Sequence, residues 1–366
     1  MTGQDAYSKA GVDTEAGDRA VELMKAAVSA THGSTILGGV GGFAGLMDAS
    51  FLKDFRRPIL ATSTDGVGTK VAIAQALDVH DTIGQDLVGM VVDDIVVVGA
   101  KPLFMTDYIA CGKVVPERIA DIVRGIAQAC AATGTALVGG ETAEHPGLLA
   151  EDDYDVAGAA VGAVEADEML GPDKVEHGDV VIAMASSGLH SNGYSLVRHI
   201  LKSTGRTFDQ TVPEFDRVLG LELLEPTRLY TAPLLDTLAA HPGAIHALSH
   251  VTGGGIAANL ARVLPAGTWV DVDRATWSPP TVFRVLADWG NEPVEGTEGT
   301  WNLGIGMLAV VSHESASTLT REWTAAGIES WVVGHVSNRE TNLDGYVAGA
   351  KGVDGGAVRL VGNYAD

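Results

Sequence analysis

Apolar positions recur along the chain in two periods, one typical of helices and one typical of strands. In the first half, the helical period covers residues 81–102, where Gly99 and Pro102 stop the helix, and residues 116–134, which begin with Pro116. Short apolar runs predict strands at residues 57–64, 103–110, 135–140 and 153–165. The first of these strands would deliver Asp65 to the loop that follows it.

The second half continues the alternation of strand, turn and helix without a fixed repeat. A polar turn with glycine and proline at residues 168–180 separates the two halves. Strands are predicted in 179–188, at the start of 244–265, in 302–312 and in 329–337, and helices in 194–203, at the end of 244–265, in 281–290 and in 315–327. We therefore expect an α/β (α+β) fold with domains at 1–170 and 171–340, and a loosely held glycine-rich tail at 341–366.

Composition narrows the classes of function. The chain has 366 residues, of which 46% are hydrophobic and 19% charged, and this balance is typical of a globular protein of two domains. A formal charge of −23 repels a nucleic-acid backbone, and no cluster of Lys and Arg offers a local exception. We expect no nucleic-acid partner. An anionic small substrate would need magnesium or a few well-placed cations.

Cysteine usage and hydropathy place the chain in a reducing, aqueous compartment. Cys111 and Cys130 belong to no CxxC pair, so we interpret both as small buried residues and expect neither disulfides nor zinc. No run reaches the roughly 18 apolar residues of a membrane span, and the N-terminus lacks the apolar core of a signal peptide. We expect a soluble, cytoplasmic protein that does not bind membranes.

The stretch TDGVGTK at residues 64–70 has the residue types of a phosphate-binding loop but not its spacing. The P-loop pattern G-x-x-x-x-G-K-[ST] fails, because Thr69 separates Gly68 from Lys70 and Val71 follows the lysine. If a nucleotide binds here, another arrangement holds it.

Three aspartates on the helix after this stretch offer that arrangement. Asp86 and Asp93 are seven residues apart, about two turns, so they share one stripe with Asp94 beside it. Taken alone, the stripe is best interpreted as a solvated polar face. Together with Asp65 at a strand end, it would supply the hard oxygen ligands that magnesium prefers and leave positions for phosphate oxygens.

Two further segments carry candidate polar groups near glycines. In LVGGETAEHPG, Gly139 and Gly140 predict a turn after a buried strand, and Glu141 follows with no role in such a turn. Glu144 and His145 are less informative, and His145 could be an ordinary surface residue. The loop GGVGGFAGL resembles a dinucleotide fingerprint, but no clear strand precedes it, so we reject the Rossmann interpretation in favour of a mobile glycine loop over a ligand.

The stretch SSGLHSNGYSLVR gathers serine, glycine, histidine and asparagine just before a predicted helix. Backbone N–H groups at a helix start bind a phosphate monoester, and Ser and Asn side chains add donors. Plain N-capping by Ser191 or Asn192 is the alternative, although it explains one residue and not the cluster. The sequence HVTGGG, ending at Gly255, invites the same interpretation.

Taken together, these motifs resemble one known family over residues 7–336. The chain is similar to the phosphoribosylformylglycinamidine cyclo-ligases, the AIR synthetases of purine biosynthesis, in the order of its motifs: YSKAGVD, GGVGGFAGL, TDGVGTK, HDTIGQDLV, GGETAE, DYDVAG, GLHSNGYSLVR, HVTGGG and NLGIGM. It departs from the usual pattern at Leu189, where proline is frequent, and at His145, where methionine is common. Neither departure removes a chemical group.

The resemblance implies a ligase that uses ATP and Mg²⁺, with a monovalent cation as a further candidate, to convert formylglycinamidine ribonucleotide (FGAM) to aminoimidazole ribonucleotide (AIR). It implies a homodimer in which the N-terminal mixed sheets join as a barrel, and a C-terminal α/β domain. The implied catalytic residues are His190, Lys70 and Asp94. The implied nucleotide site comprises Lys25, Asp65, Gly66, Thr69, Lys70, Asp94, Gly139, Gly140 and Glu141. The implied metal ligands are Asp65, Asp94 and Glu141. The implied substrate site comprises Gly41, Gly42, Phe43, Ala44, Ser191, Asn192 and Gly193.

Related families and a scaffold without catalysis are the alternatives. Selenide water dikinase would need a reactive N-terminal cysteine, and none precedes Cys111. Formylglycinamidine ribonucleotide synthetase would require glutaminase coupling, and thiamine-monophosphate kinase and the hydrogenase maturation factor share the aspartate arrangement. The HSNGYSLVR loop favours the cyclo-ligase over the kinase. A scaffold would bind ATP without substrate-dependent hydrolysis.

Overall fold

A computed structural model of the protein describes residues 13–39, 41–338, 344–349 and 352–365. It divides into two compact units, Met1–Ile95 with Ala100–Ala166 and Val96–Gly99 with Asp167–Asp366. Most of the motif YSKAGVD, Val40 of the glycine loop and parts of the predicted tail lie outside the described residues. Within the described ranges, none of the helices has both the length and the apolar character needed to cross a bilayer.

The first unit is built on a four-stranded mixed sheet in the order β3-β6-β4-β5. Strands β3 and β4 both pair antiparallel with β6, and β5 pairs parallel with β4. Its elements are α1 (Thr14–Ala30), β1 (Ile36–Leu37), β2 (Leu46–Met47), β3 (Pro58–Gly66), α2 (Val71–Leu77), α3 (Ile83–Val96), β4 (Lys101–Cys111), α4 (Pro116–Thr133), β5 (Ala136–Glu144) and β6 (Tyr154–Glu165).

One face of this sheet is buried against helix α3, whereas the other face is more exposed. Along β4, Met105 and Ile109 are fully buried, whereas Tyr108 between them is 41% exposed. Helix α3 packs so closely on the buried face that a Cβ at Gly162 would overlap Ile95. The opposite face keeps apolar side chains exposed, Tyr108 and Leu60 among them.

Three predicted boundaries in this unit are wrong. Asp65 lies inside β3 rather than in the loop after it, and Gly139 and Gly140 lie inside β5 rather than in a turn. The predicted helix at 81–102 ends at Val96, because Gly99 adopts a positive φ of 78° and β4 begins two residues later.

The second unit is built on a seven-stranded sheet in the order β12-β13-β9-β11-β7-β10-β8. All neighbours pair antiparallel except β13 and β9, which are parallel. Its elements are β7 (Val180–Ala185), α5 (Tyr194–Thr204), α6 (Leu219–Leu223), α7 (Thr231–Ala240), β8 (Ile245–His250), α8 (Gly255–Arg262), β9 (Trp269–Asp273), α9 (Thr281–Gly290), β10 (Ile305–Val311), α10 (Ala316–Ala325), β11 (Ser330–Ser337), β12 (Val347–Ala348) and β13 (Ala357–Val361).

The central strands of this sheet are buried on both faces. On β7, Val180, Ile182 and Met184 belong to one apolar cluster, which includes residues of α7 and α10. Val181 and Ala183 belong to a second cluster, which includes residues of α8 and β9. Burial on both faces explains why β7 reads as a continuous apolar run rather than an alternating one.

The prediction of a loosely held tail is wrong for residues 357–361. They form β13, which pairs with the whole of β9 from Ala357↔Trp269 to Val361↔Asp273. The two preceding glycines fit against the end of α8, since a Cβ at Gly355 would overlap the carbonyl oxygen of Ala261. The described end of the chain is therefore part of the second unit's sheet.

Candidate active site

The glycine loop is the tip of a small two-stranded ribbon. Strands β1 and β2 pair antiparallel, with Ile36 opposite Met47, so the loop between them is a hairpin and not a strand-to-helix turn. This geometry supports the rejection of the Rossmann interpretation, although a strand of two residues does precede the loop. Phe43 at the tip is fully exposed, and Gly45 fits against Val138 of β5.

A cleft of about 640 Å³ lies between this loop, helix α1 and strands β4 and β5. The loop side includes residues 41–45, and the strand side includes residues 106–107 and 137–142. The structure thus brings the predicted substrate loop, Gly41 to Ala44, beside the predicted nucleotide residues Gly139, Gly140 and Glu141. Lys25 is exposed on α1 but is not among the residues that line the cleft.

Asp107 lies in this cleft and was missed by the sequence analysis. It pairs in register with Gly140 of β5, and a Cβ at Gly140 would overlap the Asp107 carboxylate. Asp107 is only 9% exposed, and burial raises the pKa of its carboxyl from 3.8 to about 7. Its place between Met105 and Ile109 in the alternating pattern of β4 is the signal that could have identified a buried acid.

Replacing Asp107 with Asn should remove a pH-dependent loss of stability. The raised pKa means that the folded state binds the proton more tightly than the unfolded chain, so this group destabilises the fold as pH rises from about 4 to about 7. Three pKa units correspond to at most about 4 kcal/mol. We expect Asp107→Asn to be more stable than the wild type at pH 8 and closer to it at pH 5, as measured by urea denaturation. A difference between the two proteins that does not change with pH would contradict the raised pKa.

Asp65 shares a rung of the sheet with Asp107. Both residues lie opposite Gly158 of β6, one from each side, and residues directly opposite in a sheet face the same side. Asp65 is exposed, and its Oδ1 accepts a hydrogen bond of 2.8 Å from the Gly66 N–H. Thr69 is also exposed, in the turn between β3 and α2.

The acidic stripe on α3 is split between the interior and the surface. Asp86 and Asp93 are fully buried, whereas Asp94 is exposed. The interpretation of the stripe as a solvated face is therefore wrong for Asp86 and Asp93. Of the three aspartates on α3, only Asp94 is exposed and could contact a ligand.

Lys70 and Asp86 form a buried ion pair. The Lys70 Nζ lies 2.8 Å from the Asp86 Oδ1, and neither side chain has any exposed surface. A buried charge of either sign is costly unless it is paired, which explains why the lysine of TDGVGTK and the first aspartate of α3 occur together. Lys70 is thus placed in the interior, whereas Asp65 and Asp94 are exposed.

The donors for a divalent ion are exposed carboxylates that do not form a complete cage. Among residues 13–39, 41–338, 344–349 and 352–365, no three His, Cys, Asp or Glu side chains cluster closely enough to hold a metal. Glu141 is exposed on β5, opposite Tyr108 of β4. Exposed carboxylate oxygens of this kind suit a magnesium ion whose other ligands are water or phosphate oxygens.

His190 is buried in the loop between β7 and α5. It adopts a positive φ of 59°, is 1% exposed, and its Nε2 accepts a hydrogen bond of 3.2 Å from the Ser187 N–H. In the neutral ring that bond leaves the proton on Nδ1. A Cβ at Gly306 of β10 would overlap the Tyr230 hydroxyl and crowd the imidazole, so Gly306 provides the space for both rings.

Neither Ser191 nor Asn192 occupies the N-cap position of α5. Gly193 is the N-cap residue, with a φ of 77°. Asn192 Oδ1 instead accepts a hydrogen bond of 3.0 Å from the Gly253 N–H, and Ser191 Oγ lies 3.4 Å from the Thr227 hydroxyl. N-capping by Ser191 or Asn192 is therefore wrong, and the bond to Gly253 joins the HSNG loop to the TGGG loop.

Family models identify the family to which these two units belong. Residues 48–164 match the N-terminal domain of AIR synthase related proteins, and residues 176–343 match their C-terminal domain. The chain belongs to this family. A phosphoribosylformylglycinamidine cyclo-ligase of Alkaliphilus oremlandii is 45% identical over 331 residues, or 90% of this chain and 96% of the relative. The protein of the same name from Geobacillus thermodenitrificans is 47% identical over 332 residues, with 90% and 95% covered.

Solved structures of the AIR synthase related fold agree with this result. The thiamine-monophosphate kinase of Stenotrophomonas maltophilia superposes with a TM-score of 0.63 at 16% identity, covering 94% of this chain and 97% of the kinase. HypE of E. coli, a hydrogenase maturation protein, superposes with a TM-score of 0.63 at 17% identity, covering 96% and 95%. At these identities the likeness shows the fold alone. The family resemblance and the mixed α/β fold class predicted from the motifs are confirmed.

Proposed function

We propose that this chain is a phosphoribosylformylglycinamidine cyclo-ligase, which converts FGAM and ATP to AIR, ADP and phosphate. The observation that carries the proposal is an identity of 45–47% over 95–96% of the length of relatives with that name. The hydrogen bond that joins the two glycine-rich loops of the second unit and the exposure of the Asp65 and Asp94 carboxylates support it.

The reaction requires an amide oxygen to become a leaving group. Transfer of the γ-phosphoryl group of ATP to the formyl oxygen of FGAM releases ADP and activates the formyl carbon. The amidine nitrogen then attacks this carbon, a C–N bond closes the five-membered ring, and the oxygen departs as part of phosphate. Catalysis of such a transfer consists mainly of positioning and of stabilising charge on the phosphoryl oxygens.

Asp65 and Asp94 are the residues that would hold magnesium in this reaction. Both carboxylates are exposed on the first unit. Glu141, the third predicted ligand, lies opposite Tyr108 and therefore on the other face of the sheet from Asp65, so the register does not support it as a ligand of the same ion. Bound magnesium would neutralise charge on the phosphate oxygens. Gly66, Thr69 and the strand glycines would bring backbone close to the nucleotide, with Lys25 on the exposed side of α1. The monovalent cation stays a prediction.

The burial of Lys70 changes the role that we propose for it. Its ammonium is paired with Asp86 and has no exposed surface, so it does not reach a ligand directly from this position. We propose that the pair fixes the turn at residues 68–70 to the first turn of α3. Thr69 and the N-terminal part of α3 would thereby be held in a defined position relative to each other.

The loops of the second unit would bind the ribose phosphate. Asn192 and Gly193 supply a polar side chain and a glycine N-cap, and the hydrogen bond from Gly253 brings the second glycine loop to them. His190 is buried with Nε2 facing the Ser187 N–H, and this favours a positioning role over proton transfer from that nitrogen. In the first unit, the loop from Gly41 to Ala44 would cover the substrate.

The half-covered sheet of the first unit supports the proposal of a homodimer. Leu60 and Tyr108 are 61% and 41% exposed on the face of the sheet opposite to α3, and an exposed apolar sheet face is typical of an interface. We propose that two such sheets join as the eight-stranded barrel. The division into a nucleotide-binding, dimerising domain at 1–170 and a C-terminal domain at 171–340, and the cytoplasmic location, also stay proposals.

Introducing a charge on this sheet face should separate the subunits. Val161 of β6 is half-buried and alternates with the buried residues Ala160 and Gly162, so its side chain lies on the opposite, more exposed face of the sheet. We expect Val161→Glu to shift the mass measured by light scattering from dimer to monomer. Leu148→Glu is the matched control, because Leu148 is 83% exposed in a loop outside the sheet. A wild-type protein that is monomeric at micromolar concentration would sink the dimer proposal.

A coupled assay tests the proposed reaction. ADP release is measured with ATP and magnesium, with and without FGAM, while AIR is quantified in the same reaction. We expect ADP and AIR in equal amounts and no appreciable ADP without FGAM. ATP binding with no FGAM-dependent turnover would overturn the function and favour another kinase of this fold or a scaffold.

A further inference from the structure

Residues 298–303 form a shared floor under the two glycine-rich loops of the second unit. The carbonyl oxygen of Glu298 occupies the space that a Cβ at Gly255 would fill, so the start of α8 lies directly on this segment. Trp301 occupies the corresponding space at Gly193, and its Nε1 lies 3.4 Å from the Gly193 carbonyl oxygen. Both glycines have a positive φ, and neither has room for a side chain. The position of this floor therefore determines the position of both loops.

The floor is held in place from the C-terminal side. Arg274 donates two hydrogen bonds to the Glu298 carboxylate, of 2.6 and 2.9 Å, and the Tyr364 hydroxyl donates a third of 2.7 Å. The same guanidinium also donates to the carbonyl oxygens of Leu360 and Gly362. Burial and the neighbouring carboxylate raise the pKa of Tyr364, so its hydroxyl stays protonated and remains a donor throughout the neutral range.

A second path connects the same segment to the HSNG loop. The Tyr364 ring packs edge-on against Trp277 with 5.2 Å between centroids, and the Ala365 N–H donates to the Trp277 carbonyl oxygen. The Trp277 indole N–H donates to the carbonyl oxygen of Leu303, which adopts a positive φ of 49°. The next residue, Gly304, accepts a hydrogen bond from the Ser186 N–H at the base of the loop that carries His190.

Part of these contacts comes from residues beyond the matched domain, although Arg274, Trp277 and Glu298 lie within it. The family model for the C-terminal domain ends at residue 343, whereas β13 and Tyr364 follow it. The Gly356 N–H also donates to the Leu264 carbonyl oxygen, just beyond the C-terminal end of α8. The chain from Gly356 to Tyr364 therefore contacts α8 near its C-terminal end and the floor beneath its N-terminal end. A segment that only completed the sheet would not need the Tyr364–Glu298–Arg274 cluster.

We propose that residues 357–365 are a positioning element for the substrate loops, acting through Arg274 and Glu298 on the floor beneath Gly193 and Gly255. The inference rests on the proposed function in one respect, namely that these loops bind the ribose phosphate of FGAM. Backbone N–H groups bind a phosphate strongly only when they are held in a converging arrangement, so a displaced floor weakens binding without removing any group that touches the substrate. Tyr364 and Arg274 are positioning residues in this scheme.

The experiment compares two Tyr→Phe variants of the full chain. Tyr364→Phe removes the hydroxyl that bonds Glu298 but keeps the ring on Trp277. Tyr346→Phe is the matched control, because its hydroxyl donates a bond of 2.6 Å to Asp271 of β9 and not to the floor at residues 298–303. We expect the KM for FGAM to rise about three- to tenfold in Tyr364→Phe, with kcat and the KM for ATP unchanged, and no change in Tyr346→Phe.

Hydrogen exchange gives a readout that does not depend on activity. We expect the amides of residues 192–193 and 252–256 to exchange faster in Tyr364→Phe than in Tyr346→Phe, with the rest of the unit unchanged. If the wild type does not turn over FGAM, the proposed function fails, while faster exchange at these amides still supports the positioning role. Equal exchange and equal KM values in the two variants would overturn the inference, whatever their melting temperatures.

Discussion

Asp94→Asn is expected to lower FGAM-dependent ADP release at least about a hundredfold while leaving the fold intact. Asp94 is exposed on α3, and an amide in its place has the same shape and size as the carboxylate. The amide has no charge, and it is a much poorer ligand for magnesium than a carboxylate. The loss should appear in kcat, because the proposed role of the carboxylate is to hold charge-neutralising magnesium against the transferring phosphoryl group.

The measurement is ADP and AIR production at saturating ATP and FGAM over a range of magnesium concentrations. Asp121→Asn is a suitable control, because Asp121 is a half-exposed carboxylate on α4 that pairs with Arg124. Its activity should equal that of the wild type. If Asp94→Asn keeps more than about a tenth of wild-type turnover, Asp94 does not hold the catalytic magnesium, and Asp65 becomes the residue to test next.

Asp86→Asn is expected to destabilise the first unit by about 3–5 kcal/mol, since it removes the negative charge that lies 2.8 Å from the fully buried Lys70 ammonium. Replacing both members of such a pair with apolar residues of similar size commonly costs much less. We therefore expect the double variant Lys70→Met with Asp86→Leu to recover most of the lost stability. Activity is not the readout here, because Lys70 belongs to the predicted catalytic residues.

Urea denaturation of the wild type, the single variant and the double variant measures this coupling. A double variant that is as unstable as Asp86→Asn would show that the cost arises from packing around α3 and not from the loss of the charge pair. A single variant within about 1 kcal/mol of the wild type would show that the negative charge of Asp86 contributes little to stability.

Periodicity predicted the elements whose burial follows a simple rule. Helix α4 is amphipathic and begins at Pro116, and the strand at β7 is a continuous apolar run buried on both faces. In both cases the local pattern and the tertiary environment require the same residues. The prediction of these elements was therefore close to the observed bounds.

Glycines were interpreted as turns where the structure uses them for space. Gly140 lies within β5, and this strand position is a glycine because the Asp107 carboxylate occupies the space that a side chain would fill. Gly162, which lay inside a predicted strand, also leaves room for a distant residue, Ile95 of α3. Nothing in the sequence near these glycines indicates the residue that comes against them, since it belongs to another strand or helix.

The buried ion pair and the C-terminal strand could not be predicted from a local pattern either, because both depend on contacts between residues that are distant in the sequence. Asp86 and Lys70 are sixteen residues apart, and only the fold brings them within hydrogen-bond distance. Strand β13 pairs with β9, and the glycines before it resemble a flexible linker in sequence. The family resemblance gave the candidate residues of the site, but their burial and partners required the structure.

The shared floor at residues 298–303 has a consequence for how this protein can change over generations. Gly193 and Gly255 lie in different loops, yet both contact the segment 298–303, so a substitution that shifts the floor to suit one loop also moves the other. Positions 193, 255, 274, 298, 301 and 364 should therefore vary together, if they vary at all, among relatives that share this C-terminal strand. A transplanted loop from a relative without that strand should work only when its own floor is transplanted with it.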